Sequence, residues 1–512
     1  MKVHFSANRR EDIGSERGHS VFVMRKLFFL FVLMVSSLCI GCGTGDGVAG
    51  FVRRGNFSDA SLSGQYVYQV SAIDFSTNFN GIPYREAGVF VADGNRHITR
   101  GIDDFAEGSR GVASNAVTGS YSVNNDGTGE ITLNAGSVTR NFAITLVSSS
   151  KAYLIEADAA VNAMGIAEKQ GANAFNALPS GPFVFQTHSL NSTQLPTGKV
   201  GQITISNGSV TGSEDVNQNG VSSSLPITAG SFGKPDATLA RGTISLTDTS
   251  PATSQFIYYI VDANNIRLLA SDPGIMGLGR AEKQSGSPAF SGSYAFGSRG
   301  DTNNLGINGS QTVGRFTAPG NGAIDSGALD SVQDGNSIYN GSFTGTNSAL
   351  NNGRTALSLN GSGISIEAVV WMVSSSRGFL LINDPSKVED GTLDLQQSSS
   401  FSNSSMNGQF ALLMDGFDIN LQANLDRVGT LQWDGNGHLT LNETVNSGAG
   451  AQSGVVLPGT YSVDTNGRAV GTITNLSLST GDIVSYLISG NDAYVLENDP
   501  GTEISGVISQ QR

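Results

Sequence analysis

From residue 64 to the C-terminus a pattern of roughly 114 residues recurs four times, and a repeat of that period constrains architecture before any local reading. Each copy opens on Gly-x-aromatic: Gly64-Gln65-Tyr66, Gly181-Pro182-Phe183, Gly292-Ser293-Tyr294 and Gly408-Gln409-Phe410. Each closes on Gly-x-x-x-x-Gln, running Gly165 to Gln170, Gly279 to Gln284, Gly391 to Gln396 and Gly506 to Gln511. The repeat fixes build, not activity. It divides the chain into repeats over 64–170, 181–284, 292–397 and 408–512, behind a signal region at 1–41 and a flexible tether at 42–63.

Within one copy the apolar residues alternate at period two. Tyr66, Tyr68 and Val70 share one face of an opening strand. Asp93-Gly94-Asn95 and Asp126-Gly127 are turn signals between further short strands. The strand before the final turn recurs as 153–158, 267–272, 379–384 and 494–499. No amphipathic helix stands out, and Asp103-Asp104 reads as an acidic loop. About eight short sequential strands per copy imply an all-β chain of four tandem antiparallel domains. An up-and-down barrel is favoured over a β-sandwich because closure removes the exposed edges of a meander. The opening Gly-x-aromatic is similar to the start of lipocalin-type barrels. The linkers Gly171–Pro179, Ser285–Ser291 and Ser398–Asn407 predict an elongated, somewhat flexible rod.

Composition excludes some partners. Gly is 66 of 512 residues and charged residues are only 14%, which suits tight turns between uncharged strands. The net charge is −14, and no Lys/Arg cluster interrupts the repeats, so nucleic acid is excluded as a partner.

The N-terminus indicates export. Arg25-Lys26 precedes the apolar run Leu27–Leu38, a basic n-region and an h-region too short to span a bilayer. Met24 begins a signal of ordinary length. Ile40-Gly41-Cys42 resembles a bacterial lipobox, with Cys39 where an aliphatic residue is usual. That resemblance implies acylation of Cys42. Because Gly43 is not the Asp that retains lipoproteins at the inner membrane, it also implies outer-membrane placement, on the surface or the periplasmic face. The two cysteines, Cys39 and Cys42, both lie in this region, leaving the repeats without a disulfide.

Catalytic chemistry finds little support. His97, His188 and His438 lie in the repeats and read as surface turn residues, no two of them sharing a site. No Gly-x-Ser-x-Gly elbow occurs. Asp158, Asp272, Asp384 and Asp499 recur in every copy, before proline in three, and fit structural Asx-turns better than active sites. Their neighbours Glu156 and Glu497 become Ala270 and Ile382 in the middle copies, which weakens a carboxylate dyad. Asp215, Asn217 and Asn219 match the first half of a calcium loop, but the twelfth position is Pro226, so they are a weak metal candidate at most. No catalytic residue and no cofactor is assigned. The aromatics of each opening strand fill a core or line a cavity. The expectation is a non-enzymatic cell-envelope lipoprotein, its lipid in the membrane, presenting β domains for structural or adhesive contacts with an envelope protein, surface protein or glycan. The alternative is a binding module for an apolar small molecule or glycan, with one site per domain.

Overall fold

In the computed structural model, which describes residues 55–512 apart from 77–80, 176–177, 250–252, 287, 303–308, 421–422, 475 and 477–480, each repeat is a closed barrel of eight antiparallel strands. The signal region, Cys42 and most of the tether lie outside the described residues. The first barrel occupies Ser63–Lys169, the second Gly181–Lys283, the third Gly292–Leu395 and the fourth Asn407–Gln510. Every strand pairs with the next, and the eighth returns to the first, as where Tyr66–Asp74 lies against Val161–Lys169.

The two repeated motifs have local causes. The opening glycines Gly64, Gly181, Gly292 and Gly408 have φ of 112°, 89°, 134° and 124°, a region that disfavours side chains. The closing glycines sit where the eighth strand presses on the first. A Cβ at Gly165, Gly279, Gly391 or Gly506 would lie 2.3, 2.5, 2.1 or 1.8 Å from the carbonyl oxygen of Gln69, Gln186, Gly297 or Leu413. Eight strands leave an interior that side chains can just fill. In the first barrel Tyr66, Tyr68, Phe90, Phe142 and Leu154 do so, and Trp433 meets Tyr461 edge-on in the fourth. One end of each barrel is closed by the segment before its first strand, through Leu62, Ala174, Phe290, and Phe401 with Met406. The chain just before the first repeat and the three linkers are therefore plugs rather than loose spacers.

The barrels do not string into a rod. The first three strands of one barrel, joined in the second barrel by part of the fourth, pack on the last three of the next, and the fourth barrel packs in the same way on the first. Heterologous contacts of one kind generate a ring when their rotation closes, and here it closes within a single chain. Four apolar clusters fill the seams, exemplified by Val89 with Tyr259, Val200 with Trp371, Val313 with Tyr486, and Leu413 with Tyr153.

The closing glutamines are the clamps of this ring. The Gln170 amide donates to the carbonyls of Leu239 and Ile260 at 3.1 and 2.7 Å. Gln284 donates to Asn352 and Met372 at 3.2 and 2.8 Å, and Gln396 to Asn466 and Leu487 at 3.0 and 2.8 Å. Gln511 donates to Asp126 and Leu146 of the first barrel at 2.9 and 2.7 Å. The backbone N–H of the following residue, in Gly171, Ser285, Gln397 and Arg512, donates across the same seams at 2.8–2.9 Å. Replacing Gln396 by Ala strands two carbonyls at a buried seam and should lower stability by about 2 kcal/mol, read as a lower urea midpoint with unchanged slope.

Candidate functional site

The seams carry most of the charged side chains that the sequence leaves unexplained. Asp104 lies on the third strand of its barrel, not in a loop, because its carboxylate faces the second barrel. There it accepts from Arg241 Nε and Nη2 at 2.6 and 2.8 Å and from the Tyr259 hydroxyl. Asp215 repeats the arrangement with Arg354, both contacts at 2.8 Å, and with Trp371 Nε1 at 2.7 Å. Asp330 does so with Arg468 at 2.9 and 2.8 Å and Tyr486 at 2.7 Å. At the closing seam Asn442 reaches Asp126 instead, at 3.4 Å.

This geometry places the weak calcium candidates. Asp215 and Asn217 belong to a strand that continues to Gln218, and Asn219 follows in the turn with φ of 49°. Asn217 donates to the carbonyls of Ile382 and Lys387, both at 3.0 Å, so this triplet faces the third barrel rather than a loop interior. Among the described residues no group of three or more His, Cys, Asp or Glu stands together as a metal site. In the recurrent aspartate series, three members bond backwards rather than downstream. Asp158, Asp272 and Asp499 accept from the backbone N–H of Asn141, Gln255 and Asp482 on a preceding strand, and Asp384 alone bonds forward, to Ser386.

His188 is not a surface turn residue. The opening strands place Ser71, His188, Arg299 and Asp415 at the same register position of the four barrels, and three of these meet charged neighbours where the barrels converge. His188 Nδ1 lies 2.6 Å from Asp390 Oδ1 and Nε2 lies 2.8 Å from Asp301 Oδ2, both partners belonging to the third barrel. Arg299 reaches Asp415 of the fourth barrel, while Asp426 accepts from Asn162 of the first at 3.0 Å. Burial alone would lower the His188 imidazole, but Asp390 and Asp301 outweigh it and push it up to about 9. Burial, reinforced by Asp415, pushes Asp426 up to about 8. His97 and His438 do sit at exposed turn exits, each ring nitrogen near the aspartate four residues earlier, at 3.1 and 3.0 Å.

Inside each barrel a second charged group lies opposite the plugged end. Arg140 faces Glu86 at 3.1 Å and Asp103 at 3.8 Å and stacks over Phe105. Lys199 meets Glu214 at 2.9 Å, Lys387 meets Glu389 at 2.6 Å, and Arg427 meets Glu443 at 2.8 Å. Glu156 and Glu497 belong to these groups and not to a dyad. Glu156 accepts from Tyr84, and burial holds its carboxyl up at about 8. These cations escape sequence reading because no one position carries them in all four copies: Lys199 and Arg427 share a place on the second strand, while Arg140 stands on the sixth and Lys387 on the eighth. Their signal is a lone Lys or Arg at an inward place of the alternation, as Arg140 stands two before Phe142. Buried charges are costly unless paired, which is why each carries its carboxylate.

Among the described residues the barrel interiors are lined by packed apolar side chains. The opening aromatics are core residues, and the void left in the third barrel is about 10 Å³, room for about one water. A cleft of about 520 Å³ instead opens between barrels, lined by the second, third and fourth.

No family model matches the chain, and no curated protein matches it. Among solved structures, transferrin binding protein B from serogroup B Neisseria meningitidis aligns over 70% of this chain and 83% of its own, with 8% identity and a TM-score of 0.21. Kievitone hydratase from Nectria haematococca aligns over 67% and 94%, with 8% identity and a TM-score of 0.16. Likeness at this level bears on neither activity nor partners.

The His188 bridge has a defined pH signature. A folded pKa raised from 6.5 to about 9 contributes stability fully below pH 6.5 and loses it as pH rises toward 9. Denaturant titrations should therefore show the wild type losing about 2 kcal/mol more than His188→Gln across that window, since solvent screens a partly open site.

Proposed function

We propose that this chain is a non-enzymatic lipoprotein of the cell envelope, anchored through Cys42, that presents its four barrels as one ring for structural or adhesive contacts. The observation that carries this reading is where surface remains available. The barrel interiors are filled, and the first three and last three strands of each barrel face a neighbour. What faces outward are the middle strands, with Val221–Ser224 and Gln452–Gly454 exposed and almost uncharged. Such a surface offers hydroxyl and amide groups to a protein or glycan, and four related copies multiply weak contacts. The aromatic cores of the four barrels favour this reading over the alternative of one apolar ligand per barrel.

Lipid attachment and placement are tested together. Growth with labelled palmitate should label the wild type and leave Cys42→Ala unlabelled and released from the membrane fraction. Protease added to intact cells should shave the ring from the wild type. A wild type that takes up no lipid would remove the anchor from the account. Labelled protein protected until the outer membrane is breached would confine its contacts to the periplasm.

A further inference from the structure

The fourth strand of the second barrel, Val221–Phe232, has an edge that the barrel does not use. It pairs with the third strand from its first residue, Val221 against Gln218 and Leu225 against Glu214. On its other side, among the described residues, the fifth strand joins it only at Ile227. Val221–Pro226 is therefore the outer strand of a two-stranded flap. The strand touches the third barrel, yet Val221 is 71% exposed, and Ser222, Ser223 and Ser224 are exposed beside it. Unpaired backbone N–H and C=O groups on such an edge are a template for another strand.

The phase of the hydrogen bonds says which groups are free. The two-residue turn Asn219-Gly220, with φ of 49° and 83°, makes the flanking Gln218 and Val221 a hydrogen-bonded pair. Asn219 donates the other way, to the Pro196 carbonyl at 2.9 Å, as alternation requires. Val221, Ser223 and Leu225 thus bond to the third strand, while Ser222 and Ser224 turn their N–H and C=O groups to the open edge. Pro226, next on that side, has no N–H and ends it.

The sequence selects the occupant. Val221-Ser222-Ser223-Ser224-Leu225 reads alike in both directions, apolar at its ends and serine between. No residue from Val216 to Gly233 is charged, so two chains of net charge −14 can meet here without opposed charges. We propose that two copies of this chain pair edge to edge over Val221–Leu225, antiparallel about Ser223. Ser222 of each copy then exchanges both backbone hydrogen bonds with Ser224 of the other, and each exposed Val221 packs on the other copy's Leu225. This rests on the reading of the outer strands as a contact surface and names a second copy as their partner.

So small an interface makes a weak dimer. Residues 43–512, which carry every barrel and no cysteine, should sediment as monomer at about 1 µM and increasingly as dimer toward about 200 µM. Ser223→Lys sets like charges face to face at the two-fold and should weaken the dimer at least about tenfold. Ser224→Pro, which deletes an N–H that the barrel does not use, should do the same, both with thermal melts unchanged. Ser223→Cys should oxidise to a covalent dimer faster than Ser231→Cys, which is exposed on the same strand but paired on both edges. A chain that stays monomeric to about 200 µM overturns the self-pairing, while palmitate labelling still decides the anchor separately. A dimer that neither Ser223→Lys nor Ser224→Pro weakens, or equal oxidation of the two cysteine variants, also overturns it.

Discussion

Everything in this ring depends on one repeated contact, in which the glutamine that ends a barrel clamps a hairpin of the next. The side-chain amide satisfies two carbonyls that the seam would otherwise bury without partners, and the following backbone N–H satisfies a third. Because the same patch of each barrel always meets the same complementary patch of its neighbour, the geometry is heterologous, and four steps return to the start. A chain with no disulfide among its repeats thereby gains, through packing, the cross-linking that small exported domains usually take from cystines.

Closure also explains where charge is found. Each seam between consecutive barrels uses an aspartate held by an arginine and an aromatic N–H or O–H, at Asp104, Asp215 and Asp330. A buried ion pair of this kind is weak evidence for stability but fixes register, since a misplaced seam would leave a desolvated carboxylate alone. At the closing seam Asn442 reaches the Asp126 carboxylate at 3.4 Å, and Asn446 Nδ2 donates to the carbonyls of Glu156 and Val161 at 2.7 and 2.8 Å, as Asn217 does to those of Ile382 and Lys387. The charged side chains are thus mostly architectural, which fits a surface left to uncharged strands.

Much of the barrel was legible in the sequence, and almost none of the ring. Period-two alternation around Tyr66, Tyr68 and Val70, turn pairs such as Asp93-Gly94, and the sequential spacing of strands suffice for an eight-stranded meander that closes. The ring had a signal too. Runs such as Tyr153-Leu154-Ile155 and Phe379-Leu380-Leu381-Ile382 are apolar at every position, and a strand buried on one face only would alternate. Their outward members, Tyr153, Ile155, Phe379 and Leu381, are the seam residues. The partners of Asp104 and His188 were not legible, because they lie in other repeats more than 100 positions away.

The central claim is that the fourth barrel closes on the first. A Cβ built on Gly450 lies 3.8 Å from that of Ala159, a separation that suits a disulfide. Ala159→Cys with Gly450→Cys, in a chain whose Cys39 and Cys42 are serine, should oxidise to an intramolecular bond visible as a faster-migrating monomer on non-reducing gels, at a yield independent of concentration. Thiols that stay reduced, or bonds that form only between chains, would contradict the ring and return the barrels to an open array.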